Sequence, residues 1–132
     1  MPDYTAKRFD EMEPILGGFF LRARASLGAS SFGMQVLQMP PNGGDFYPNH
    51  DHAHDGQEEV YVVLSGSAEF DIDGERVAAE PETAIRVAPG TKRHINPGPD
   101  GVRILAVGGV PGGAYQPPEF TQLGGPEPAP SQ

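Results

Sequence analysis

Glycine and proline interrupt this chain so often that no long helix fits between them: 18 glycines and 15 prolines punctuate 132 residues. Proline removes a backbone donor and glycine weakens helix interiors, so the punctuation favours short strands joined by tight turns. The intervening segments agree. "EEVYVVLSG", closed by Gly66, is an apolar β-branched run, and in "SAEFDIDGERVAAEP" the pair Asp73-Gly74 is a strong type I′ hairpin signal. "FGMQVLQM", Phe32 to Met39, reads as another strand, followed by the loop "PPNGGD". "TAIRVAPG", "RHIN" and "VRILAVGG" add three short extended pieces. In "FFLRARASL", Phe19 to Leu27, Leu21, Ala23, Ala25 and Leu27 alternate with Arg22, Arg24 and Ser26, the period of a half-buried strand. Seven or eight short strands without an amphipathic helix imply an all-β barrel or sandwich.

The length suits one domain with a real core. Residues 1–18 read as an irregular arm in which "DEMEP" forms one helical turn ending near Pro14, residues 19–110 as the barrel, and residues 111–132 as a Pro/Gly-rich tail. The first half of that tail is expected to lie over the barrel through Tyr115 and Phe120, and its last residues to be disordered. No internal repeat is visible. The formal charge is -9 and the bases are scattered, which argues against nucleic acid or an anionic membrane as a partner. The N-terminus lacks a basic head followed by an apolar run, and no later segment is long and apolar enough to span a bilayer, so a cytoplasmic protein is expected.

With no cysteine, disulfides, thiolate zinc sites and cysteine nucleophiles are excluded, and any metal must use histidine and carboxylate. Three of the four histidines, His50, His52 and His54, alternate just before Glu58 and Glu59. In an extended chain they share one face at about 7 Å per step, so two neighbours can grip one ion. Glu59, at the start of the next strand, would complete a two-His-one-carboxylate set with open positions. A solvated, His-rich surface run is the competing reading. "GGVPGGAYQPP" lacks the setting of a phosphate loop, and there is no Gly-x-Ser-x-Gly elbow.

"HAHDGQEEVYVVLSG" resembles the first motif of the cupin superfamily, with His52, His54, Glu59 and Gly66 in the places of its two histidines, glutamate and closing glycine. The motif's leading glycine fits Gly44 with His50 instead; in that register the pair is His50 and His52, and the gap to Glu59 is two residues longer. His52 belongs to both registers. The second motif is altered: in "EPETAIRVAPGTKRHIN" the Pro89 anchor puts His94 in the histidine place, whereas the Gly90 anchor puts Arg93 there and turns His94 to the other face.

The resemblance implies a double-stranded β-helix of jelly-roll class and one divalent metal ion (Fe, Mn, Ni or Zn) held by His52 and a neighbour with Glu59. It also implies a homodimer. The metal candidates are therefore His50, His52, His54, Glu59 and His94, and Arg93 would hold a ligand carboxylate if it faced the cavity. Tyr61 shares the face of Glu59 and is a candidate ligand-binding phenol; Glu58 faces the other way. Met34, Val36 and Gln38 share a face and, with Phe46 and Tyr47, line or rim the cavity, although core packing competes for Met34 and Val36. Asp71, Asp73 and Glu75 read as a solvated face. Two functions follow: a metal-dependent oxygenase- or isomerase-like protein acting on a small organic molecule, with Glu58 or Tyr61 in proton transfer, or a non-catalytic small-molecule-binding cupin.

Overall fold

The computed structural model describes residues 2–41 and 47–128. Among the described residues seven strands form the fold: β1 (Pro14–Ile15), β2 (Phe20–Leu21), β3 (Gly33–Met39), β4 (Glu58–Ile72), β5 (Glu75–Ala79), β6 (Ala84–Val87) and β7 (Arg93–Gly109). Every pairing is antiparallel, in the order β1-β2-β3-β7-β4-β5 with β6 on β4. The protein is all-β, a jelly-roll barrel.

Closure comes from the two long strands, which pair over most of their lengths and bend together. Glu58–Val63 of β4 pairs with Ile104–Gly109 of β7, Ala68–Ile72 pairs with Arg93–Pro97, and the register shifts lie between. Inward positions change parity across this corner: Tyr61 and Val63 are buried before it on β4, and Ala68 and Phe70 after it. A bulge with this effect lets one strand serve two sheets while keeping its apolar side chains inside. The corner also accounts for Gly66. At φ 72° its backbone runs so close to β7 that a Cβ would lie 2.2 Å from the Gly101 carbonyl oxygen.

"RHIN" and "VRILAVGG", expected as two pieces, are the two halves of β7, and the Pro97-Gly98-Pro99 punctuation between them is its corner. The hairpin at Asp73-Gly74 joins β4 to β5 with positive φ at both residues, 51° and 86°, as a type I′ turn needs. "DEMEP" contributes to a single 3-10 turn at Phe9–Glu11.

The strand expected over Phe19–Leu27 is corrected. Only Phe20–Leu21 is extended; Ala23–Leu27 is a short helix, α1, closed by bonds from Gly28 N to the Ala25 carbonyl and from Ala29 N to the Arg24 carbonyl. The alternation misleads because Arg22 and Arg24 are not a solvated face: both are buried. Alanine, arginine and leucine are good helix formers, and the arginines have interior partners that local sequence cannot show. Arg24 donates to the Ala29 carbonyl, and Arg22 to Glu13 and to the carbonyls of Phe120 and Gly125.

The two faces of β3 part company. Val36 is buried in a cluster with Met12, Leu21 and Ala23, against which Phe9 and Met34 pack, so the N-terminal segment covers the outside of the sheet. Leu37 and Met39 join the main core with Tyr61, Phe70, Ile95 and Ile104. Met34 and Val36 are therefore core residues rather than cavity lining, and Gln38 donates to the Gly18 carbonyl. Phe46 and Gly44 lie outside the described residues.

Candidate metal and ligand site

The segment from Pro48 to Gln57 crosses the mouth of the barrel before β4 begins. It is pinned at two points: His50 exchanges both backbone hydrogen bonds with Arg93, and His52 N donates to the Pro89 carbonyl. Beyond His52 the chain stops being extended. Asp55 N and Gly56 N both donate to the His52 carbonyl, and Asp55 Oδ1 accepts from Gln57 N. The expectation of three histidines on one extended face therefore holds only up to His52. The turn swings His54 outward, 75% exposed, stacked on His52 with ring centroids 6.0 Å apart.

Among the described residues two groups of side chains gather at metal-ligand spacing. The deeper is His50, His52 and Glu59, whose ligand atoms lie within 4.8 Å of one another; the outer is His52, His54 and Asp55. His52 is common to both. Its Nδ1 is 3.0 Å from Asp55 Oδ1 and its Nε2 3.0 Å from Glu59 Oε1. His50 is held by the bond between its Nδ1 and the Pro48 carbonyl, 2.9 Å. Each Nδ1 thus has an orienting acceptor and each Nε2 is left for the cluster, the arrangement in which ligating histidines are usually found.

Glu59 is the hub. Its Oε1 accepts from His52 Nε2, from the Tyr61 hydroxyl at 2.6 Å and from Arg93 Nη1 at 3.2 Å. Burial works to raise its pKa, but the His52 and Tyr61 hydrogen bonds and the Arg93 charge outweigh it and hold the carboxyl below its usual 4.5. Burial works to lower His52, yet Glu59 and Asp55 together raise it above the usual 6.5. Without an ion, the two carboxylates that flank His52 favour its imidazolium form. His50 goes the other way, lowered mainly by burial, and is neutral at pH 7.

Tyr61 gives its one proton to Glu59, so Tyr47, 2.8 Å away, must donate to the Tyr61 oxygen. Burial pushes both phenols up, which keeps them protonated. They brace the carboxylate rather than supply a base.

Arg93 faces inward and is fully buried, donating to Glu59 and, at 2.8 Å, to the Ala88 carbonyl. His94, the next residue on β7, is set opposite Asp71 of β4 and lies in neither metal-ligand group. The structure therefore brings His50, His52, Glu59, Tyr61 and Arg93 together and leaves His94 apart. Glu58 is outside the cluster as well, ion-paired with Arg86.

The donors suit a divalent ion: two imidazoles and a carboxylate would hold it, their ligand atoms lying within 4.8 Å of one another and His52 Nε2 within 3.0 Å of Glu59 Oε1. The counterweight is the Arg93 guanidinium, bonded to the carboxylate oxygen that would ligate.

The cluster opens into a cavity of about 650 Å³ lined by Phe19, Phe20, Leu37, Tyr115 and Phe120 among others. Its outer wall is the C-terminal segment, fastened by Arg22. That guanidinium donates to the Phe120 and Gly125 carbonyls and ion-pairs with Glu13, which also accepts from Gly124 N. Leu16 N adds a bond to Glu127. Sequence reasoning had Tyr115 and Phe120 over the barrel but missed Arg22 as their fastener and Asp55 as the orienting carboxylate of His52. Asp55 had a signal, lying three residues after His52 at the start of a Gly turn; Arg22 had none.

The sequence profile of the cupin domain matches residues 35–108. Among curated proteins, none matches the chain. In solved structures the chain is similar to a cupin protein from Bacteroides fragilis, at 24% identity over 89% of this chain and 93% of that one, TM-score 0.68. It is also similar to a sugar phosphate isomerase from a cupin superfamily of Silicibacter pomeroyi, at 19% identity over 74% and 59% of the two chains, TM-score 0.58. At such identities the likeness speaks for the fold alone. No helix among the described residues is long and apolar enough to cross a membrane.

Proposed function

Since the chain belongs to the cupin domain family, we propose that it is a metal-binding cupin acting on, or binding, a small organic molecule in the barrel cavity. The observation that carries this reading is His52, oriented at Nδ1 by Asp55 and aimed through Nε2 at Glu59, beside His50 at the head of the cavity. His50, His52 and Glu59 would hold one divalent ion such as Fe, Mn, Ni or Zn. Such an ion supplies Lewis acidity toward a carbonyl or hydroxyl, or a place for oxygen, in an isomerase- or oxygenase-like reaction. The chain's own residues do the rest: Asp55 and the Pro48 carbonyl fix the imidazoles, and Tyr61 steadies the carboxylate. The C-terminal segment limits access of water.

Titration of chelator-stripped protein, purified without a nickel column, with Co²⁺ tests the reading. One ion per chain, lost in His52→Ala, is expected; no stoichiometric binding overturns it in its metal form.

A second reading, a non-catalytic small-molecule-binding cupin, is favoured by one observation. Arg93, not a histidine, occupies the inward place on β7 and bonds to Glu59. Bound metal with neither oxygen uptake nor product across a substrate panel would select it. A cytoplasmic homodimer completes the proposal. Its motive is the sheet edge at β1, and sedimentation at micromolar concentration checks the dimer.

A further inference from the structure

The charge and shape of the cavity wall bear on what enters it. Three carboxylates, Asp51, Asp55 and Glu59, lie among the lining residues, and no lysine or arginine does among those described. The cations that adjoin it are all engaged: Arg93, with no exposed surface, is bonded to Glu59 and the Ala88 carbonyl, His52 stands between Asp55 and Glu59, and Arg22 is held by Glu13 and the Phe120 and Gly125 carbonyls. A phosphate or carboxylate entering here would lose its water and meet like charge, a cost that buried anions do not recover without a partner.

Away from the cluster the wall is made of rings. Phe19 and Phe20 come from the strand side and Tyr115 and Phe120 from the C-terminal segment. These rings are built in. The Phe20 and Phe120 centroids are 5.5 Å apart at 54°, and Tyr115 lies so close on β3 that a Cβ at Gly33 would be 2.8 Å from its hydroxyl oxygen. The Arg22 bonds to the Phe120 and Gly125 carbonyls hold the segment in place.

We infer that the cavity takes an uncharged ring compound, its ring packed against the Phe20–Phe120 pair and a hydroxyl or carbonyl directed at His50 and His52, and that it excludes phosphorylated ligands. The inference rests on the cavity being the functional site, as proposed above, and names the ligand class for it. A volume of about 650 Å³ leaves room for one or two fused rings.

The probes are 1-naphthol and glucose 6-phosphate, each titrated calorimetrically into the full chain, once stripped of metal and once with Co²⁺. Saturable one-to-one binding of 1-naphthol is expected, with no saturable binding of glucose 6-phosphate. Phe120→Ala weakens 1-naphthol about fivefold, the size of one aromatic contact, and Ala106→Phe, which fills the cavity from β7, abolishes its binding. Circular dichroism of both variants confirms that they fold. Glucose 6-phosphate binding as tightly as 1-naphthol, or 1-naphthol affinity unchanged in both variants, overturns the inference. The metal reading is scored separately: if 1-naphthol behaves as stated while Co²⁺ does not bind, the ligand class stands and the metal proposal falls. Stoichiometric Co²⁺ with no 1-naphthol binding sinks the ligand class alone.

Discussion

The two segments that meet at His50 and Arg93 are built on opposite principles. The His50–Gln57 segment is a loop whose polar side chains are oriented by one another and by backbone carbonyls, and it presents neutral or cationic imidazoles to the cavity. The facing end of β7 is regular strand, buried at Arg93 and Ile95, and it presents a fixed positive charge. Glu59 stands between them and satisfies both. One carboxylate thus serves as prospective metal ligand and as counter-ion for a buried guanidinium, and these duties compete.

The strongest way to break the comparison is to remove the shared carboxylate. Glu59→Ala leaves Arg93 charged and unpaired in the interior and is expected to cost about 3–5 kcal/mol in urea unfolding. If Glu59 mattered only to a metal, stability of the chelator-treated protein would barely change. Next come the loop histidines. His50→Ala is expected to weaken Co²⁺ about a hundredfold and His54→Ala less than about threefold, because His54 is turned out of the deeper cluster; equal losses would move the site to the outer group with Asp55. On the strand side, Arg93→His removes the competing cation and offers another imidazole. Co²⁺ affinity should rise about tenfold, read by competition with a chelating dye. No gain would mean that the guanidinium does not restrain the carboxylate.

The smallest effect is a pH dependence in the metal-free protein. His52 is raised above 6.5 despite burial by Glu59 and Asp55, so its contribution to stability is complete below 6.5 and is lost as pH rises through the higher folded-state value. Glu59 is lowered below 4.5, so its contribution is present above 4.5 and is lost as pH falls through the lower folded-state value. Urea midpoints of protein in chelator should therefore fall off on both sides, and His52→Gln should flatten the alkaline decline. An unchanged alkaline limb would show that His52 is not the titrating group.

Much of the barrel was legible because its signals are local. The β-branched run of β4, the Asp73-Gly74 turn and the sequence around β6 each carry their conformation in a few residues, and structure and sequence agree there. The errors arose where a distant partner decided the outcome. Arg22 and Arg24 looked like the wet side of a strand, but Arg22 is buried by carbonyls about a hundred residues away in sequence. Pro97-Gly98-Pro99 looked like a break between strands, but pairing with β4 on both sides carries one strand through it.

By itself the chain determined that it would be all-β, that any metal would rest on histidine and carboxylate, and that Glu59 and Gly66 stand at opposite ends of one strand segment. Composition, alternation and spacing suffice for that, since each depends on residues within a few positions of one another. Tertiary structure decided that Arg93 points inward while His94 lies opposite Asp71, that the turn at Asp55 sends His54 outward, and that the C-terminal segment walls the cavity. Strand facing is set by register against a partner, and one residue of slip reverses it. No spacing within a single strand contains that information.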